Sequence, residues 1–228
     1  MQKYWARSDA LNAELRELVL QKSSESAGVQ ISNVGGWHSQ KSLQDWPEAC
    51  AQTLVKRIRT AVAELVDLTV PEPQEAHLQN WDLWAWANVN YKGHYNSGHI
   101  HQETHVWSGV YYVDAGDVDG EGEIVVQDRS GVPKEVVRCP NPFEREVTIK
   151  PRPGLMLIFP TTLFHHVKPY LGDGPRISIA FDLANPAFTI PVYDYARPFW
   201  WIPTPWIVHK LRTLKYRLGV RRKLRPVD

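Results

Sequence analysis

The chain has 228 residues, enough for one large domain with a full core. Hydrophobic residues make up 43% and charged residues 22%, a balance that excludes an intrinsically disordered chain. The formal net charge is only +1, which excludes a globally basic nucleic-acid binder, and no nucleic-acid partner is expected.

The first ten residues lack the apolar core of a signal peptide, and no apolar run approaches the roughly 20 residues of a membrane span. Cys50 and Cys139 stand alone, without metal-type spacing, as in a reducing compartment. The expected localisation is cytoplasmic.

Residues 8–21 read as a helix, with Ser8 placed to cap it and Leu11, Leu15 and Leu18 on one face. The stretch Ser32–Ser39 follows, too rich in turn residues for regular structure. Its Gly35-Gly36 pair suggests a close backbone approach. A second helix is expected from Pro47, with the stripe Cys50, Leu54, Ile58, Ala61, Val62 and Leu65, ended by Pro71 and Pro73.

From about residue 80 the period shortens to that of strands: Trp81–Tyr91, Gly98–Glu103, Val106–Val113, Gly122–Gln127, Glu146–Lys150, Leu155–Phe159 and Arg176–Asp182. Gly-, Asp- and Pro-rich turns such as Asp114–Gly122 separate them. Short strands without intervening helices predict a mainly β fold with flanking helices, an antiparallel sandwich or jelly roll. Residues 1–78 then form a helical portion packed on a β core of residues 79–190. Residues 191–228 form a Trp-rich, basic extension of the same domain. Between Ile207 and Arg225 that extension carries eight Lys or Arg and no acid, read as a solvated helix face, with docking to an acidic partner, an anionic membrane surface or nucleic acid as the sharper alternatives.

Chemistry concentrates in two windows. His99, His101, His105, His165 and His166 are five of the nine histidines in the chain. His99 and His101, two apart on a strand, project to one face, and His165 arrives from a later strand. Imidazoles so placed suit Fe, Zn, Ni or Cu, with open positions for substrate. Eleven residues beyond His165 comes Arg176-Ile177-Ser178, whose guanidinium and hydroxyl share a strand face and together suit a carboxylate. Tyr112 and Asn90, with Asn88, Asn96 and Tyr111, are candidates to bond a co-substrate or substrate. Asp128-Arg129 is a candidate substrate contact or a surface ion pair.

The ordered series Gly93, His99, His101, Ser108–Val113, Pro153-Gly154, Phe159-Pro160, His165, Val167, Pro169 and Arg176–Asp182 resembles the Fe(II)/2-oxoglutarate-dependent oxygenases of the prolyl-hydroxylase-like superfamily. Ser32–Ser39 is similar to a segment of one branch of it. The resemblance covers roughly residues 30 to 185. It implies a double-stranded β-helix, a jelly-roll or cupin-like core, holding Fe(II), with 2-oxoglutarate on the metal and its far carboxylate on Arg176. The implied dioxygenase reaction takes up O2, releases succinate and CO2, and hydroxylates a small molecule, amino acid or peptide. In the family pattern the later ligand is His165, with His166 on the opposite strand face.

The departure lies at the acid. The usual motif is His-x-Asp, and here His101 stands where the acid is expected. Three arrangements remain open: an all-imidazole site of His99, His101 and His165; Glu103 as a shifted carboxylate ligand with His101 and His165; or His101 behind the metal, leaving two protein ligands. Two further functional readings accompany the oxygenase. One is a three-His cupin-like metalloenzyme that does not use 2-oxoglutarate, and the other is a non-catalytic metal-binding module.

Overall fold

A computed structural model describes residues 1–70, 75, 79–101, 105–117, 121–128 and 145–188. The chain divides into two units, Met1–Thr189 and Ile190–Asp228. The second lies outside the described residues, and so do the basic stretch in it, Glu103 and Arg129.

The strands in chain order are β1 (Gln2–Tyr4), β2 (Asn33–Val34), β3 (Trp37–His38), β4 (Asp82–Asn90), β5 (Tyr95–His99), β6 (Trp107–Asp114), β7 (Ile124–Asp128), β8 (Arg145–Ile149), β9 (Leu155–Pro160), β10 (Phe164–Val167) and β11 (Arg176–Ala184). They form two antiparallel sheets, ordered β1-β9-β6-β11-β4-β3 and β2-β5-β10-β7-β8. Two helices, α1 (Asp9–Glu25) and α2 (Ala49–Thr69), precede the main strands.

Period-two alternation divides the six-stranded sheet into two faces. On β11 the odd residues Ile177, Ile179, Phe181 and Leu183 join Leu83, Ala85, Ala87 and Val89 of β4 in a core with the helices. The stripe predicted for α2, with Leu15 and Val19 of α1, buries in that core. The even residues of the same strands face the other sheet. There Val110, Tyr112, Ile124, Leu155, Leu157 and Phe159 make a smaller apolar cluster.

Three local expectations change. Ser8 occupies the N-cap of α1, but its side chain makes no cap hydrogen bond and instead accepts one from Asn12 Nδ2 at 3.4 Å. The turn-rich stretch does contain short strands: β2 pairs with β5 in one sheet, and β3 pairs with β4 in the other. Gly35 and Gly36, at φ of 67° and 68°, carry the chain between the two sheets. A Cβ on Gly36 would lie 2.8 Å from the Val89 carbonyl oxygen, so the close approach inferred from the glycine pair is real. Finally, the strand expected over Gly98–Glu103 is displaced to Tyr95–His99, because β5 takes its register from β2 and β10.

Candidate metal centre

β10 pairs antiparallel with β5, and His165 stands directly opposite His99. Cross-strand partners on one face touch, and these two ring centroids are 4.4 Å apart. His101 lies two residues past the end of β5, where its backbone N–H donates to the Thr161 carbonyl at 3.2 Å. That anchor turns the His101 ring parallel to His165, with centroids 5.0 Å apart and an interplanar angle of 6°. The ligand atoms of His99, His101 and His165 lie within 4.8 Å of one another, the sole such group of potential metal ligands among the described residues.

The hydrogen bonds around the rings decide which nitrogens face inward. His99 Nδ1 is 2.7 Å from the Ser97 carbonyl oxygen, His165 Nδ1 is 3.1 Å from that of Leu163, and His101 Nδ1 is 2.7 Å from Asp182 Oδ1. These oxygens only accept, so each Nδ1 carries a proton and donates it. Burial, reinforced by the neighbouring His99, lowers the His165 pKa to about 3, and burial also lowers that of His99. In the neutral rings Nε2 is then a bare lone pair. His101 Nε2 and His165 Nε2 approach to 3.2 Å, a contact that calls for a shared proton or a cation. The donor set fits a divalent metal bound through nitrogen.

The same cavity, with about 510 Å³ of empty space counted to its open mouth, is lined by Arg176, Ser178, Tyr112 and Asn88 as well as by the three histidines. Arg176 is 2% exposed, and its Nε has no hydrogen-bond partner among the described residues. Burial disfavours its charge and lowers its pKa. The guanidinium carbon sits 5.4 Å from the centre of the Tyr112 ring. Among the described residues the Tyr112 hydroxyl and Asn88 Oδ1 also make no well-formed hydrogen bond; burial pushes the Tyr112 pKa up to about 12, and the neighbouring Arg176 guanidinium opposes that rise. A buried cation with no acidic partner among the described residues, and orphaned polar atoms beside it, is costly unless an anion completes the group. A carboxylate ligand would meet that requirement. Gly122, at φ 66°, lies so near Arg176 that a Cβ there would fall 2.7 Å from Nε, which leaves no room for a side chain.

The remaining candidates separate. Asn96 lines the cavity, whereas Asn90, opposite Arg176 in the ladder, is buried beside Gly36 and is not among the lining residues. Tyr111 faces the helices and donates to Asn12 Oδ1 at 2.7 Å. His166 stands on the other face of β10, outside the histidine group. His105 packs on Trp84 with ring centroids 4.8 Å apart.

One residue beside the histidine cluster escaped the sequence reading. Asp182 is fully buried. Its Oδ1 accepts from His101 Nδ1 and from Ser108 Oγ at 2.8 Å, and its Oδ2 accepts from Lys41 Nζ at 3.0 Å. Burial alone would raise its pKa, but His101, Lys41 and Ser108 together hold it at about 2. The available signal was the period of β11: Arg176, Ser178, Ala180 and Asp182 share a strand face, and an acid in so apolar a strand must be paired.

Residues 84–182 match the family model described as "Putative 2OG-Fe(II) oxygenase", a span that holds all three histidines, Arg176 and Asp182. Among curated proteins, no sequence matches this chain. Among solved structures the chain is similar to a Pseudomonas putida prolyl-4-hydroxylase, at 16% identity and a TM-score of 0.56 over 81% of this chain and 91% of that one. It is similar also to the non-heme alpha-ketoglutarate-dependent carbocyclase SnoK of nogalamycin biosynthesis, at 14% identity and TM-score 0.58 over 81% and 79% of the two chains. A third is HygX of Streptomyces hygroscopicus, solved with nickel and 2-oxoglutarate, at 13% identity and TM-score 0.57 over 83% of each chain. At these identities the structures establish the shared double-stranded β-helix fold. With the family match they bear out the resemblance read from the sequence. Proteins of this family use Fe(II) and 2-oxoglutarate, and His99, His101 and His165 form a group able to hold a metal ion.

Proposed function

We propose that this chain, built on the fold and core of a 2OG-Fe(II) oxygenase, hydroxylates a small molecule, amino acid or peptide. His99, His101 and His165 would hold Fe(II), and Arg176 would hold the far carboxylate of 2-oxoglutarate. The observation that carries the reading is the pairing, in one cavity, of three inward-facing imidazole nitrogens with a buried guanidinium that has no anionic partner among the described residues. When bound, iron and 2-oxoglutarate supply the oxidising power to put one atom of O2 into a C–H bond, with release of succinate and CO2.

The chain's own residues place and shelter that chemistry. The carbonyls of Ser97 and Leu163 hold the His99 and His165 rings in the tautomer that presents Nε2. Arg176 offers a fork that matches a carboxylate in two hydrogen bonds. Ser178, two residues on and 5% exposed, adds a hydroxyl from the same strand face. Tyr112, Phe159 and Val167 give the cavity apolar walls that exclude water. Trp86, Asn96 and Ser32 line it as well and are the side chains offered to a substrate.

The test is anaerobic addition of Fe(II) and then 2-oxoglutarate, which should produce a weak visible charge-transfer band. Under air with candidate substrates, succinate should follow. Absence of both ends the proposal. A second reading, a three-His metalloenzyme without 2-oxoglutarate, draws on the imidazole that replaces the expected acid. It requires Arg176→Ala to leave activity intact, and it gives the buried guanidinium no partner.

A further inference from the structure

We infer that Asp182 is a positioning residue for the metal centre. It stands one step behind His101, orients that ring, and restores from the second layer the negative charge that the three-His set lacks. This rests on the metal-centre reading above. Its own observations are the short contact of His101 Nδ1 with Asp182 Oδ1, 2.7 Å, and the complete burial of the carboxylate.

Asp182 is held from several sides. Ser108 Oγ donates to Oδ1 at 2.8 Å from β6, and Lys41 Nζ donates to Oδ2 at 3.0 Å from the loop before α2. The lysine is itself held over the Trp86 ring, 4.2 Å from its centre. His101 Nδ1 is the second donor to Oδ1, at 2.7 Å, while His105 Nδ1 stands farther off, 3.6 Å from Oδ2. His101 then keeps its proton on Nδ1 and turns Nε2 toward His165 and the metal position.

The contrast with the other two ligands is informative. His99 and His165 lean on neutral backbone carbonyls, whereas His101, the residue that replaces the acid, leans on a full negative charge. A carboxylate behind an imidazole raises the basicity of the far nitrogen, and losing such a partner typically weakens metal binding about 10- to 100-fold. The charge expected in the first layer has moved about one imidazole outward. A carboxylate needed only for packing would be an expensive choice at a fully buried position, where a neutral side chain of the same size is available.

The experiment is anaerobic Co(II) titration of the full-length protein, followed by visible absorption, for wild type, Asp182→Ala, Asp182→Asn, His101→Ala and the His101→Ala/Asp182→Ala double variant. Asp182→Ala should weaken Co(II) about 10- to 100-fold. Asp182→Asn, which preserves volume, should weaken it less and shift the cobalt bands. The double variant should bind as His101→Ala does, because Asp182 acts through that ring. Losses that add in the double variant would assign Asp182 a structural role and overturn the inference. Should the alanine variants fail to fold, nitrogen NMR of histidine-labelled wild type with Zn(II) decides: the His101 proton belongs on Nδ1, and a proton on Nε2 overturns the inference. Unchanged affinity in Asp182→Asn and Asp182→Ala sinks this inference alone. A wild type that takes up no Co(II) sinks it together with the metal-centre reading.

Discussion

The two faces of β11 perform opposite tasks with adjacent residues. On the helix side, Ile177, Ile179, Phe181 and Leu183 are fully buried in one apolar core. On the cavity side, Arg176, Ser178 and Asp182 are nearly as buried, but they are polar. The first face gains stability from burial, at about 25 cal/mol per Å² of apolar surface. The second carries buried charge and orphaned polar atoms, a local cost that binding of metal and co-substrate would relieve. Changes on the helix face should therefore act on folding, and changes on the cavity face on binding.

The largest expected effect is on the helix side. Phe181→Ala should cost about 3–5 kcal/mol in denaturant unfolding, because its ring packs over Gly109, where a Cβ would meet it. Co(II) affinity of the folded fraction should stay close to wild type, and a parallel loss of metal binding would break the separation of the faces. Across the strand, Arg176→Ala should weaken 2-oxoglutarate by about 2–5 kcal/mol, measured by the charge-transfer band. Its unfolding midpoint without co-substrate should hold or rise, since a buried cation with no acidic partner among the described residues has been removed.

The next effect is read by pH. The folded pKa of His165 is about 3 against an ordinary 6.5, so the unfolded chain binds the extra proton first. Stability from this group is complete above about pH 6.5 and is lost as pH falls toward 3, a slope summing to a few kcal/mol. Denaturant midpoints of metal-free protein should show it, and His165→Ala should flatten it. The smallest and sharpest comparison uses neighbours on β6. Tyr111→Phe removes a buried hydrogen bond to Asn12 and should cost about 1 kcal/mol of stability. Tyr112→Phe removes a hydroxyl whose polar neighbour is the Arg176 guanidinium, with no well-formed hydrogen bond among the described residues, so it should cost less stability and weaken 2-oxoglutarate instead. Equal stability losses in the two variants would erase the distinction.

Much of this was legible in the residues. The stripe of α2 and the period of β4, β6 and β11 define their buried faces, since burial selects apolar side chains at the spacing of the element. His99, His165 and Arg176 stand out by type and order. The side-chain roles of the two tyrosines did not, because alternation tells that Tyr111 and Tyr112 face opposite ways but not which way is inward when both sides of a sheet are covered. The displaced strand and the short β2 and β3 were hidden for a related reason: they are defined by ladder partners far along the chain.

By itself the sequence determined the fold class, the two buried faces of the central strands and the residue types available for a metal. Those follow from local periodicity and from the chemistry of imidazole and guanidinium. Only the tertiary structure decided what His101 does. Its ring is aimed by an Nδ1 contact to Asp182, 81 positions away, which is set in turn by Ser108 and by Lys41 from before α2. No local pattern encodes that contact, because a hydrogen bond depends on two strand registers and a loop meeting within a fraction of an ångström. The residue that looks anomalous in the sequence is, in the fold, joined to the missing acid.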